Sequence, residues 1–252
     1  MTSNYPTFVF TSLAVILSLG SWTLNPISAG IFTFADEFNF LGIPNGKNVL
    51  SCLCFIIVGI YGLTCRPRFD LGREVLVSMA LACVCLVVMG SFGAWYHLDP
   101  THLTRLAAHL SMALVVMNSA FALTSAQLPL KGRWWLFTAS QLIAVMTAVY
   151  EYAYDDKRHL LMSEVFLILL ILFSMIRVWK VSYSKHLTKC LVLFSIAFVC
   201  GWYDAEISSF SAYMISGHTA QHILWASAGL FLLRFLVAIK PSELNHPLLP
   251  KS

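Results

Sequence analysis

Long apolar runs separated by short polar segments are the dominant pattern along this chain. They occupy residues 7–24, 48–65, 74–96, 103–124, 132–150, 159–178, 188–204 and 218–239. Most of them approach the ~20 residues that a helix needs to cross the hydrocarbon core of a bilayer. Backbone groups in lipid must bond within their own segment, so runs of this length favour helices. The pattern predicts an all-α polytopic membrane protein with eight spans.

The composition agrees with a membrane protein. Hydrophobic residues make up 58% of the 252 residues and charged residues 11%, whereas soluble domains carry about 25% charged residues. The net charge of +4 comes from lysines and arginines in the loops and does not indicate binding of nucleic acid. We therefore expect a lipid bilayer, and no nucleic acid, as a partner.

The chain divides into three predicted regions. Residues 1–30 are expected to form an N-terminal transmembrane helix, residues 31–242 a helical membrane domain, and residues 243–252 a cytoplasmic tail. The first apolar run could instead be a signal peptide. Signal peptides begin with a basic region, and residues 1–7 hold no lysine or arginine. We therefore predict a membrane helix for this run.

The distribution of basic residues predicts the orientation of the spans. Cytoplasmic loops carry an excess of lysine and arginine. Of the 16 basic residues, twelve follow even-numbered spans or lie near the C terminus, and four follow odd-numbered spans. Both termini are therefore predicted to be cytoplasmic. This topology places the end of the third span and the start of the eighth span on the non-cytoplasmic side.

Three histidines are expected to meet on that side. His218 and His222 are one helical turn apart at the start of the eighth span, so both rings lie on one helix face, and His97 ends the third span. Imidazole nitrogens are common zinc ligands, and catalytic zinc sites keep a fourth position for water. We predict a zinc site near the non-cytoplasmic leaflet. The alternative is that these histidines form hydrogen bonds at the membrane interface.

Other polar groups are predicted on the same side. Asp204 precedes the eighth span and could orient an imidazole by accepting its N–H, or lie in water at a helix end. Asp36, Glu37 and Asn48 lie in or beside the first loop, where their oxygens could bind calcium; a solvated loop is the simpler interpretation. The seven cysteines lie in or beside apolar runs without a C-x-x-C spacing, which predicts packing residues.

Three short motifs resemble those of the alkaline ceramidase family and its bacterial relatives. They are Phe34-Ala35-Asp36-Glu37 with Leu41-Gly42-Ile43-Pro44-Asn45, Tyr96-His97-Leu98-x-Pro100, and Ser216-Gly217-His218-Thr219-x-x-His222. The resemblance implies a seven-helix bundle preceded by one N-terminal helix. It also implies zinc on the three histidines, calcium in the first loop, and hydrolysis of a ceramide-type amide to a sphingoid base and a fatty acid.

The chain departs from the family pattern at three positions. Family members carry a serine four residues before the first zinc histidine and an aspartate eleven residues after it, and these positions are Gly93 and Ala108 here. Cys52 stands where the relatives usually have asparagine. The resemblance implies that the serine and the aspartate stabilise the oxyanion and move protons. Ser91 and His109 are the predicted catalytic substitutes.

Two functions are compatible with these residues. The first is a zinc-dependent intramembrane hydrolase of ceramide-type lipids, favoured by an open ligand position that faces a lipid-sized pocket. The second is a catalytically impaired lipid-binding or receptor-like relative with a structural zinc, favoured by a fourth protein ligand such as His109 or Asp204. A transporter is a weaker alternative, because it predicts inverted repeats and helices broken near the midplane, and the sequence shows neither clearly.

Overall fold

The computed structural model describes residues 25, 34–36, 39, 42–65, 72–127, 134–178 and 183–239. Within these residues the chain is helical and contains no β-strand. The helices in chain order are α1 (Gly46–Ser51), α2 (Leu53–Thr64), α3 (Arg73–Leu98), α4 (His102–Gln127), α5 (Trp134–Tyr154), α6 (Arg158–Val178), α7 (Ser184–Trp202), α8 (Asp204–Phe210) and α9 (Gly217–Ala238). The first predicted span and the predicted cytoplasmic tail lie outside the described residues.

Six of the described helical segments are long and apolar enough to cross a membrane. They are Gly46–Thr64, Arg73–Leu98, His102–Ala126, Arg158–Ile176, Ser184–Trp202 and Gly217–Ala238. These helices indicate a multi-pass helical membrane protein, as predicted. The predicted number of eight spans is not confirmed. The first predicted run lies outside the described residues, and the run at 132–150 forms α5, which is too polar to count among the six.

The polar residues of α5 explain this difference. Ser140, Thr147 and Glu151 are buried. The side-chain amide of Asn118 on α4 donates a hydrogen bond of 3.1 Å to Gln141 on α5. Helix α5 lies against α4 and α6, so its polar groups meet other helices. Polar groups within a membrane are commonly turned inward in this way.

The other long helices form a closed ring. Following the order α2, α3, α4, α6, α7 and α9, each helix contacts the next, and α9 returns to contact α2. Helix α5 lies outside this ring, against α4 and α6. The main apolar core fills the ring and includes Phe55, Met79, Leu123, Ile171 and Phe235. In a bilayer, close packing stabilises such contacts, because lipid tails are as apolar as the side chains.

Two glycines allow the backbones of α2 and α3 to touch. A Cβ atom added to Gly59 would lie 2.6 Å from the carbonyl oxygen of Cys83. A Cβ atom added to Gly90 would lie 2.7 Å from the carbonyl oxygen of Cys52. Small residues at a membrane helix contact permit this close approach. The contact fixes the start of α2 against the final turns of α3.

Replacing Gly59 with alanine should therefore destabilise the bundle. The added methyl group would meet backbone that cannot rotate away, and overpacking of this kind costs about 1–3 kcal/mol. Gly229→Ala is the matched control, because a Cβ atom there would meet its nearest neighbour, Val58, at 3.9 Å. The free energy of unfolding in detergent micelles measures both effects. Equal stability of the two variants would contradict the close contact.

Candidate metal centre

One end of the bundle collects residues that are distant in sequence. Helices α2, α4, α6 and α9 begin there, and α3 and α7 end there. Residues from all six helices line one cavity at this end: Cys52 and Phe55 from the start of α2, His97 from α3, His109 from α4, Leu161 from α6, Gly201 from α7 and His218 from α9. The alternating direction of consecutive helices therefore builds one composite site.

The structure brings the three predicted histidines together in this site. The ring centroids of His97 and His218 are 5.1 Å apart, those of His97 and His222 are 5.3 Å apart, and those of His218 and His222 are 4.4 Å apart. His97 and His222 are buried, with exposed fractions of 2% and 7%. His218 is half-buried. Three imidazoles from two helices thus share one small region.

Cys52 adds a donor that the sequence did not indicate. It occupies the turn between α1 and α2 and is 1% exposed, and its Sγ lies 3.7 Å from Nδ1 of His222. One donor atom from each of Cys52, His97 and His222 lies within 4.8 Å of the other two. This group could hold a metal ion. The available signal was the position of Cys52 at the start of its span. That start lies on the side of the membrane where the span of His97 ends and the span of His222 begins.

Ser51 sets the orientation of the His222 ring. Its hydroxyl donates to the backbone carbonyl of Asn48 at 2.9 Å and lies 2.8 Å from Nδ1 of His222. Because a hydroxyl has one hydrogen, and Asn48 receives it, Ser51 can accept a hydrogen from Nδ1. The lone pair of His222 is then on Nε2, where it is available to a ligand.

The rings of His218 and His97 have different neighbours. Nδ1 of His218 lies 3.1 Å from Oε1 of Gln221, an oxygen that only accepts, so Nδ1 carries the hydrogen and Nε2 the lone pair. Nδ1 of His97 is buried and has no hydrogen-bond partner among the described residues. The His97 ring packs at 4.6 Å between centroids against Phe34. The nitrogen of His97 is thus one of the buried polar atoms at this site that require a partner.

Asn48 links the start of α9 to α1. Its Oδ1 accepts a hydrogen bond of 2.6 Å from the hydroxyl of Thr219 and one of 3.4 Å from that of Ser216. Ser216 also caps α9, because its Oγ accepts the backbone N–H of Thr219 at 3.0 Å. These bonds hold the two histidines of α9 in register with the turn that carries Cys52.

Asp204 acts on the backbone and not on an imidazole. Its Oδ1 accepts the backbone N–H of His218 at 2.6 Å, and its Oδ2 accepts that of Ala35 at 3.2 Å. The predicted contact with a histidine ring is therefore not the one that the structure shows. A helix start presents N–H groups without partners, and a carboxylate is favourable there. Asp204 positions the first turn of α9 against the loop before α1.

Of the residues predicted to bind calcium, Asp36 and Asn48 lie side by side, but their side-chain oxygens have different partners. Oδ2 of Asp36 accepts the backbone N–H groups of Lys47 and Asn48, each at 3.0 Å, at the start of α1. The side-chain oxygen of Asn48 is directed instead to α9. Glu37 lies outside the described residues. Calcium binding by Asp36, Glu37 and Asn48 stays a prediction.

The three histidines and Cys52 line a cavity of about 420 Å³. Gly93 and Ala108, the positions at which the family carries serine and aspartate, also line it. The cavity therefore has no polar side chain at either position. Ser91, the predicted substitute for the serine, does not line this cavity; its exposed hydroxyl donates to the carbonyl of Val87 at 2.9 Å.

His109, the other predicted substitute, does line the cavity. Its Nδ1 lies 2.5 Å from Oε1 of Glu151, which is 2% exposed. Nε of the buried Arg105 lies 3.9 Å from the same oxygen, and its Nη2 lies 2.8 Å from Asp155. Glu151 is a functional candidate that the sequence did not indicate, because its partners come from a different helix. The carboxylate and the imidazole form a hydrogen-bonded pair at the cavity wall.

A second, apolar cavity of about 70 Å³ lies deeper in the ring. Met79, Leu86, Ile171 and Leu233 are among its lining residues. The two cavities share the lining residues Phe55, Met89, Met112, Glu164 and Trp225, so they adjoin. Glu164 is 5% exposed and is the carboxylate at this boundary. The cavity that holds the histidines, at the end of the bundle, is thus followed by an almost wholly apolar cavity inside it.

Comparison with known proteins adds no assignment. No protein-family model matches the chain, and no curated protein matches it. The resemblance to the alkaline ceramidase family stays a prediction based on the short motifs. The geometry of the site is the basis for the function proposed below.

The role of Asp204 can be tested with Asp204→Asn. The asparagine keeps one oxygen but turns an NH₂ group toward a backbone N–H, so one of the two donors loses its partner. We expect the free energy of unfolding to fall by about 1–3 kcal/mol. The control is Glu206→Gln on the exposed face of α8, which should change it by less than about 0.5 kcal/mol. Similar losses in the two variants would show that the two backbone contacts of Asp204 contribute nothing specific.

Proposed function

We propose that this protein is a zinc-dependent intramembrane hydrolase that cleaves the amide bond of a ceramide-type lipid. One observation carries the proposal: three clustered histidines line a cavity that adjoins an apolar cavity inside the helix ring. Binding sites for small molecules are concave and mostly apolar, with a few converging polar groups. A lipid with an amide near its polar end and long hydrocarbon chains matches a cavity lined by histidines that adjoins an apolar cavity.

The donor set fits zinc. Imidazole nitrogens and a thiolate sulfur are the ligands that zinc prefers. His218 and His222 each have a partner at Nδ1, which fixes the ring as outer hydrogen bonds do around zinc histidines. Coordination through Nδ1 of His97 would also give this buried nitrogen, which lacks a hydrogen-bond partner, a ligand. His97, His218 and His222 would hold the ion.

When bound, zinc supplies Lewis acidity toward a carbonyl oxygen and lowers the pKa of a coordinated water to about 7. The protein must supply the proton transfers. Hydrolysis of an amide adds a hydroxyl group to the acyl carbon, breaks the C–N bond and places a proton on the amine nitrogen. A side chain at the cavity must therefore take a proton from water and give one to the departing amine.

His109 is the residue best placed for these transfers. It lines the cavity that holds the three clustered histidines, and Glu151 holds its Nδ1. A buried carboxylate in this position fixes the imidazole tautomer and stabilises the protonated ring. The other nitrogen, Nε2, then accepts and donates the proton. The pair compensates for the missing family aspartate at Ala108.

The apolar cavity would hold part of a hydrocarbon chain. Its walls come from several helices of the ring, so the chain would lie within the bundle and parallel to the lipid tails outside. Glu164, at the boundary, offers oxygens to an N–H or O–H group of the substrate. On the predicted topology, the lipid enters from the non-cytoplasmic leaflet.

A specific observation favours a second function. Gly93 and Ala108 line the cavity without supplying a hydroxyl or a carboxylate. The His109–Glu151 pair alone would then have to make all of the proton transfers. If that pair is insufficient, the protein is a lipid-binding or receptor-like relative that keeps zinc as a structural ion. Both functions require the same metal centre, and turnover separates them.

Metal content and ceramide hydrolysis of the purified full-length protein test the proposal. We expect about one zinc per wild-type chain, with release of sphingoid base and fatty acid. His218→Ala should lose both, because each zinc histidine is a direct ligand. His102→Ala is the control, because this exposed histidine of α4 does not line the cavity. Zinc without turnover on several lipid amides would favour the second function, and a zinc-free wild type would exclude both.

Two further variants separate proton transfer from metal binding. His109→Ala and Glu151→Gln should keep their zinc, because these two side chains bond to each other and are not among the proposed zinc ligands. The rate of hydrolysis should fall by about 10²–10⁴ in His109→Ala, the usual contribution of a general acid–base group. Glu151→Gln should lower kcat with little change in KM. Unchanged rates in both variants would remove the pair from the reaction.

A further inference from the structure

We propose that Cys52 is a fourth protein ligand of the metal, so that the ion is held by one sulfur and three imidazoles. This inference rests on the metal-binding part of the proposed function and does not require amide hydrolysis. It changes the interpretation of Cys52 from a packing residue to a metal donor. It also specifies how this chain differs from the family that it resembles.

The position of Cys52 differs from that of the other fully buried cysteines. Cys83 and Cys190 belong to the main apolar core. Cys52 is equally buried but is not part of that core; it lies in the turn before α2 and lines the polar cavity. Its sulfur lies within 4.8 Å of one ring nitrogen each of His97 and His222, a group that does not include His218. Burial against histidine nitrogens is typical of a ligand.

The space beside the sulfur depends on Gly93. A Cβ atom added to Gly93 would lie 3.2 Å from Sγ of Cys52, closer than an ordinary van der Waals contact. A serine, the family residue at position 93, would bring that Cβ and an oxygen toward the sulfur. The glycine at position 93 therefore leaves room for the sulfur of Cys52. Relative to the family pattern, a sulfur replaces a side-chain amide at position 52, and a glycine replaces a serine beside it at position 93.

The chemistry of the donors fits this assignment. A thiolate is a stronger zinc ligand than a neutral side-chain amide, which the relatives usually carry at this position. On metal binding the thiol loses its proton to solvent, as coordinating cysteines do. Structural zinc sites have four protein ligands, so this donor set would favour a structural role of the ion over hydrolysis.

Cobalt substitution tests the sulfur directly. Zinc in the purified full-length protein is exchanged for Co²⁺, whose visible d–d bands report tetrahedral binding and whose near-ultraviolet charge-transfer band reports a thiolate ligand. We expect both bands in wild type and loss of the charge-transfer band in Cys52→Ser. Cys190→Ala, which removes a buried thiol of the apolar core, is the matched control and should keep both bands. The zinc affinity of Cys52→Ser should fall by more than the roughly 10–100-fold that outer partners cost.

The outcomes separate this inference from the hydrolase proposal. Tetrahedral d–d bands without a charge-transfer band in wild type would overturn the sulfur ligand and leave hydrolysis open. A charge-transfer band that survives Cys52→Ser would also overturn it. The charge-transfer band in a wild type that does not hydrolyse lipid amides would support the ligand and count against the hydrolase. Should Cys52→Ser fail to fold, X-ray absorption of zinc-bound wild type decides, since one sulfur at about 2.3 Å is expected and its absence would exclude the ligand.

Discussion

Closure of the helix ring between the first and last described spans is the contact on which the site depends. Asn48 accepts hydrogen bonds from Thr219 and Ser216, and this joins the short helix α1 to the start of α9. Buried polar bonds between membrane helices are specific, because the groups have few other partners in lipid. Without this join, His218 and His222 would not have a fixed height relative to Cys52 and His97. The donor cluster is thus a consequence of how the ring closes.

The same end of the bundle shows how polar groups are accommodated in an apolar protein. Asp36 and Asp204 each accept two backbone N–H groups at or before helix starts. Glu151 is held by Arg105 and His109. These charged side chains stabilise the fold through the contacts just described, and they lie around the histidine cluster. The cavity is lined by the candidate metal donors and by further polar side chains, among them His109, Lys157 and Glu164.

Much of the architecture follows from the sequence because the bilayer imposes a local constraint. Apolar runs of a fixed length become helices whatever surrounds them, and the alternating direction of helices then brought His97 to the side of His218 and His222. Tertiary detail could not be read in this way. Whether Cys52 packs or binds depends on its neighbours across the ring, and the same thiol would be inert two residues later in the span. Glu151 was not identified and the role of Asp204 was left open, because their partners lie on other helices or on backbone atoms.

The glycine contact between α2 and α3 makes the two sides of the ring mechanically unequal. Where backbones touch at Gly59 and Gly90, no side chain can rotate aside, so that wall is stiff. Helices α6 and α7, which contact each other on the opposite side, contribute larger side chains such as Leu170 and Leu187 to the core, and these can change rotamer. The α2–α3 contact is therefore the stiffer part of the ring, and the α6–α7 contact is the part where side chains can adjust.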